Sequence, residues 1–246
     1  MVEKLLTKLR GKDHRAAYRA IPALCRLNDA SVAAIVACYT PKDEQRRFQL
    51  EVAQIALRDG IGGLAREWPR LGTGEQRRVL LTEISQFWNE WAGAGTVELA
   101  IAALEEADDK VRGYALLCAK AAMGDGSVTP EQCARITQAL VKAMARHNER
   151  PTDLFWLDKY VELLGLTANA SDQQVIARLE GLRAFAGASR RTVTQKFDPD
   201  NLPHPHPKHG WPEGLPKPAY RVLDTGTGLL EIRILESALK QIRTRN

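Results

Sequence analysis

An all-α chain, folded as a right-handed α-solenoid of about five or six helical hairpins, is what three features of the sequence imply. The tetrapeptide Glu-Gln-Arg-Arg occurs at Glu44–Arg47 and again at Glu75–Arg78, 31 residues on, and each copy leads straight into an apolar helical stripe. A related string, Asp109-Lys110-Val111-Arg112, opens another stripe 34 residues further along. Alanine and leucine are plentiful while aromatic residues reach only 6%, a balance that favours helix. A period of this size is one helix–turn–helix unit. Such a unit cannot bury its apolar face alone, so units stack.

The first helix is expected from Val2 to Arg10, stopped by Gly11. Asp13 is a good cap for a second, which carries Ala17, Ile21, Leu24 and Leu27 at helical spacing and breaks at Asn28-Asp29. Pro22 inside it removes a backbone donor and is expected to bend it. The next pair is 30–39 and 43–58, split by Thr40-Pro41 and closed by Gly60. Phe48, Val52 and Ile55 form one stripe on its second helix, and Leu50, Ala53 and Leu57 form another, so burial on two sides is expected. A third pair is 61–70 and 75–91, parted by Leu71-Gly72-Thr73-Gly74, with Leu80, Ile84, Phe87, Trp88 and Trp91 on its second helix. The fourth is 96–106 and 108–123, closed by Gly124-Asp125-Gly126-Ser127. Thr129-Pro130-Glu131 restarts the chain with a cap and a proline at the first helical position. A longer fifth pair covers 131–147 and 152–164, and a sixth unit, 171–186, has no evident partner helix.

The tail differs. Pro199, Pro203, Pro205, Pro207, Pro212, Pro216 and Pro218 forbid a persistent helix and predict an extended segment, with 221–224 extended or a short strand. A final helix over 228–243 sets Ile232, Leu235, Leu239 and Ile242 on one face, with Arg233, Glu236, Lys240 and Arg243 facing away. The chain therefore divides into a solenoid (1–187), a proline-rich arm (188–220) and a C-terminal amphipathic helix (221–246) that docks on the solenoid or on a partner.

The string from Asp108 to Leu117 resembles the second helix of a HEAT repeat. In that family an aspartate in the intra-repeat turn and an arginine near the start of the second helix recur, and neighbouring units link through a polar ladder. Asp109 with Arg112 matches this pattern. Glu44 with Arg47 and Glu75 with Arg78 match it more loosely, with glutamate for aspartate, and Asp13 with Arg15 or Arg19 is a weaker match. The resemblance covers about residues 1–187 and not the tail. It implies a helical-repeat fold and no particular biochemical role. The units are shorter than typical HEAT units, which keeps other helical-hairpin stacks in play.

The net charge is +5, and the basic residues are mostly arginine, the side chain suited to bidentate carboxylate or phosphate contacts. Adjacent residues on a helix point about 100° apart, so one arginine of each pair Arg46/Arg47 and Arg77/Arg78 can join an internal ladder while the other faces solvent. Aligned with Arg15 and Arg112, the solvent-facing members make a candidate stripe for a phosphate backbone or an acidic protein. Local pairing with Glu44, Glu51, Glu75 and Glu83 is the competing expectation.

Other clusters carry less. His204, His206 and His209 are close in sequence, but alternating prolines hold them extended and apart, so no metal or other cofactor is expected. The arm itself suits partner binding or strapping along the repeats. Trp68, Trp88, Trp91 and Trp156, with Phe87 and Phe155, form either an aromatic cleft or repeat core. Some HEAT-like bacterial proteins are DNA glycosylases for alkylated bases, and Asp153 and Asp158 beside Trp156 raise that reading. Cys25, Cys38, Cys118 and Cys133 have no C-x-x-C spacing and read as small buried apolar residues. Walker, Rossmann, nucleophile-elbow and H-E-x-x-H strings are missing from the sequence. No apolar run approaches the ~18 residues of a membrane span, and Met1–Leu6 lacks a signal-peptide core.

The expectation is a cytoplasmic, non-catalytic protein–protein interaction scaffold or complex subunit, with a protein partner on its concave surface and no membrane or small-molecule substrate. Nucleic-acid binding through the arginines is the alternative, and a glycosylase the remoter one.

Overall fold

The computed structural model describes residues 1–41, 43–145, 157–196 and 229–245, and every regular element among them is helical. In chain order these are α1 (Val2–Arg10), α2 (His14–Leu27), α3 (Ala30–Ala37), α4 (Glu44–Asp59), α5 (Ile61–Glu67) and a 3-10 turn (Trp68–Arg70). Then come α6 (Gly74–Gln86), α7 (Trp88–Trp91), α8 (Ala94–Leu104), α9 (Asp109–Gly124) and α10 (Pro130–Ala145). The last three are α11 (Leu157–Thr167), α12 (Gln173–Lys196) and α13 (Leu229–Thr244).

Helix starts follow side-chain caps. The carboxylates of Asp13, Asp29, Asp43 and Asp108 accept hydrogen bonds from the first free backbone N–H groups of α2, α3, α4 and α9. Thr73 and Gln76 form a reciprocal capping box on α6. Each such cap contributes about 1 kcal/mol and sets a boundary that the sequence alone can locate.

α1 packs on α2, α3 on α4, α8 on α9, α10 on α11 and α12 on α13. Between these pairs, α2 meets α4, α6 meets α9, α9 meets α11 and α11 meets α13, while α5 lies on α4 and α8, and α8 on α10. One apolar interior runs from Leu6 to Ile242. Side-chain links span separate helix pairs at sequence separations of 34 to 37 residues: His14 Nδ1 with Gln49 Oε1 (3.3 Å), Gln132 Nε2 to Glu98 (2.9 Å) and Arg135 to Glu98 (2.8 Å).

Several expectations are corrected. The helix foreseen over 61–70 tightens into a 3-10 turn at Pro69, and its main partners are α4 and α8 rather than α6. The helix foreseen over 75–91 is two helices, because Phe87 adopts φ −117°, ψ 38°. That break sends Trp88 and Trp91 inward, and Trp88 Nε1 donates to Asp125. α2 does hold Pro22 inside a single helix, as foreseen, with Pro22 buried. α12 continues to Lys196, so 188–196 are helical and not arm. The sixth unit does have a partner. α13 returns to α11 and α12 of the same chain, burying Leu235, Ala238, Leu239 and Ile242. The backbones come so close that a Cβ on Gly165 would lie 2.9 Å from Ala238 Cα. The remaining proline-rich stretch, with its three histidines and 221–224, lies outside the described residues, as do Asp153, Phe155 and Trp156.

Candidate partner-binding surface

Two of the six arginines, Arg46 and Arg112, are interior and cannot belong to a surface stripe. Arg112 is buried: it pairs with Asp109, its Nε donates to Tyr160 (3.1 Å), and Nη1 donates to the Glu106 and Ala107 carbonyls. Arg46 is also buried, with Nη1 on Gln49 Oε1 at 2.7 Å. Arg77 lies over the Trp68 ring and pairs with Glu106 at 2.9 Å. Arg78 pairs with Glu75 (2.5 Å) and Arg15 with Glu83 (3.4 Å). Arg47 is exposed. Burial of Arg46 and Arg112 takes them away from any ligand on the surface; Arg112 ties α9 to α11 through Tyr160, while Arg46 bonds Gln49 within α4. Trp68, Trp88 and Trp91 are interior too, so no aromatic cleft forms from them. Asp158 is bonded to Lys159 at 3.0 Å.

The arginines lead to a polar junction that composition did not announce. Tyr18 of α2, Gln49 and Arg46 of α4, and Glu83 of α6 are all buried at the meeting of three helices. Tyr18 Oη, one Arg46 nitrogen (Nη2) and Glu83 Oε2 have no hydrogen-bond partner there. Burial raises the Glu83 pKa above the ordinary carboxyl value, opposed by Arg15 and assisted by Asp13. The folded chain therefore holds this proton more tightly than the unfolded one. The stability it confers is complete below the unfolded carboxyl pKa and is lost as pH rises through the folded value. Wild-type protein is expected to gain stability relative to Glu83→Gln as pH falls from 8 towards about 4. Thermal melts of both proteins across that range are the check. A constant difference between them would show Glu83 to be unperturbed.

A cavity of about 880 Å³ opens between α10 and the start of α12. Cys133, Thr137, Gln138 and Val141 line one side, and Gln174 and Val175 the other. Asn169 and Asp172 edge it from the intervening turn, where Asn169 N–H donates to Asp172 (2.8 Å) and Ser171 N–H to Asn169 (2.8 Å). Its end is closed by Arg245, which donates to the Leu166 (2.6 Å) and Ala168 (2.8 Å) carbonyls at the C-terminus of α11. Thr137 and Thr167 bond each other in the wall at 2.8 Å. Arg178 of α12 donates to the Met144 carbonyl of α10 (2.9 Å) and so ties the two helices together. Apolar floor, carboxamide rim and one charge of each sign make a surface suited to polypeptide. Burial raises the Cys133 thiol pKa despite Arg245, so this sulfur stays protonated at neutral pH and is not an activated nucleophile.

The sequence reading missed this cleft. Its walls are ordinary helix positions and its rim an ordinary polar turn, and only the spacing of α10 from α12 brings them together. Among the described residues no group of three metal-ligating side chains converges, and no helix is long and apolar enough to cross a membrane. No family model, curated protein or solved structure matches the chain.

Proposed function

We propose that this chain is a non-catalytic interaction protein, a HEAT-like stack of helical hairpins that holds an extended segment of a partner protein between α10 and α12. The cleft carries the reading. Its volume of about 880 Å³ accommodates several residues of extended peptide, its carboxamides suit the partner's backbone N–H and C=O groups, and its apolar floor suits alternate side chains. The polar links at separations of 34 and 35 residues and the bond from Arg112 of α9 to Tyr160 of α11 support the stacked architecture, since both join separate helix pairs. Nucleic-acid binding is not favoured, because the arginines offered for it are buried or paired with acids apart from Arg47.

The test is site-directed crosslinking in the native host. A photo-reactive residue at Gln138 or Gln174 should capture one defined partner segment. Val141→Asp should reduce that capture at least about tenfold, a loss of ~1.4 kcal/mol, while leaving the helical melt intact. Equal capture from Val141→Asp, or from a probe placed on exposed Lys110 instead of in the cleft, would overturn the reading.

A further inference from the structure

α3 has the composition of an interior helix and the surroundings of an exposed one. Its eight residues, ASVAAIVA, include no charged or long polar side chain, yet only Val32 and Val36 are buried. α8, similarly apolar, lies against α5, α9 and α10 and buries seven of its eleven residues. Among the described helices, α3 packs extensively on α4 alone. Ser31, Ala34, Ile35 and Cys38 are exposed and fall at i, i+3, i+4 and i+7, one continuous stripe. Ile35, at 41% exposure, is with Met1 an exposed large apolar residue among those described.

We propose that this stripe is a homotypic interface, α3 packing antiparallel on α3 of a second copy. The face is self-complementary. A two-fold axis between positions 34 and 35 sets bulky Ile35 against the partner's Ala34 and small Ser31 against the partner's small Cys38, so the bulky side chain never meets its own copy. The ends match in charge as well. Exposed Asp29 sits at the start of α3, and Arg10, 4.9 Å from the Tyr39 ring centroid, sits at its end. An antiparallel pair therefore brings each acidic end to a basic one, whereas a parallel pair opposes like ends. Ser31 bonds hold the Asp29 carboxyl below its ordinary range, so its charge persists at neutral pH. A helix of this length spans only about 12 Å. The contact therefore falls below the ~1,200 Å² of stable complexes, and a weak dimer, with Kd in the range of about 10–100 µM, is expected.

Sedimentation equilibrium of the full chain from about 1 to 500 µM, bracketing that affinity, should show a reversible dimer that weakens as salt rises. Ile35→Glu should weaken association at least tenfold with an unchanged circular dichroism melt. Under mild oxidation, Ser31→Cys should yield a covalent dimer joined to Cys38, and adding Cys38→Ser should prevent it. A wild-type chain that stays monomeric throughout, or one that crosslinks through Cys38 as readily as Ser31→Cys does, would overturn the antiparallel interface. Neither result bears on the cleft, which lies on other helices.

Discussion

Arg112→Ala is expected to lower the unfolding free energy by about 3–5 kcal/mol, the loss seen when a buried ion pair is broken from one side. Arg112 has 1% exposure and holds four groups at once: the Asp109 carboxylate, the Tyr160 hydroxyl and the carbonyls of Glu106 and Ala107. Removing the guanidinium takes one donor from each of those groups and leaves a hole where a buried charge stood, and the bonds at the Arg112 side chain itself lie where water enters poorly. Two of them close the α8–α9 turn and one belongs to α11, so the change loosens a turn within one pair and a link to the next. For a chain of this size the midpoint of thermal melting should fall by on the order of 10 °C. Arg112→Lys should recover little, because an ammonium cannot reproduce the planar fork that reaches all four. A calorimetric scan that places Arg112→Ala within about 2 °C of wild type, less than ~1 kcal/mol, would mean that the network contributes nothing net.

The same residue shows what sequence reasoning reaches. Asp109 with Arg112 matches a HEAT-like pattern in the sequence; the two pair within α9, and it is Arg112 alone that reaches the next helix pair, through Tyr160. The helix start at Asp13 was legible because capping is local chemistry, whereas breaks in the apolar pattern, and not their caps, locate the starts near Asp29, Asp43 and Thr73. The break at Phe87 was not legible. No glycine or proline marks it, and it exists because Trp88 and Trp91 must both reach the interior while Arg19 stacks 4.5 Å from the Phe87 ring and bonds Glu90 (2.7 Å). Nor could the sequence say which arginine of a pair turns inward. Arg46 is buried and Arg47 exposed, although both follow the same Glu-Gln and differ only by 100° of helical rotation. Exposure is decided by the neighbouring helix, here α2 with His14 and Tyr18. The cleft and the bare face of α3 share this origin. Both depend on which helices fail to meet, and no local pattern encodes that.

The tightest meeting of helices leads to the second large effect. α5 crosses α8 at glycines, where a Cβ added to Gly95 would stand 2.6 Å from Gly62 N and 3.2 Å from Gly62 Cα. Both obstacles are backbone, so no side chain can swing aside, and the helices themselves must separate. Gly95→Ala should therefore cost about 1–3 kcal/mol through overpacking, outweighing the roughly 1 kcal/mol by which helical propensity favours alanine over glycine. Gly95→Val should cost more than Gly95→Ala, because a branched side chain widens the same gap. Separation would spread, because α8 also carries α9 and α10, and Leu99, Ile101 and Leu104 lose neighbours as it shifts. Gly181→Ala, in α12, is the matched control: its added methyl meets nothing within 4 Å, so it should be neutral or stabilise by about 0.5–1 kcal/mol. Urea titrations of the three variants separate packing from propensity. If Gly95→Ala raised the midpoint as Gly181→Ala does, α5 and α8 would have room to spare, and the crossing would owe nothing to its glycines.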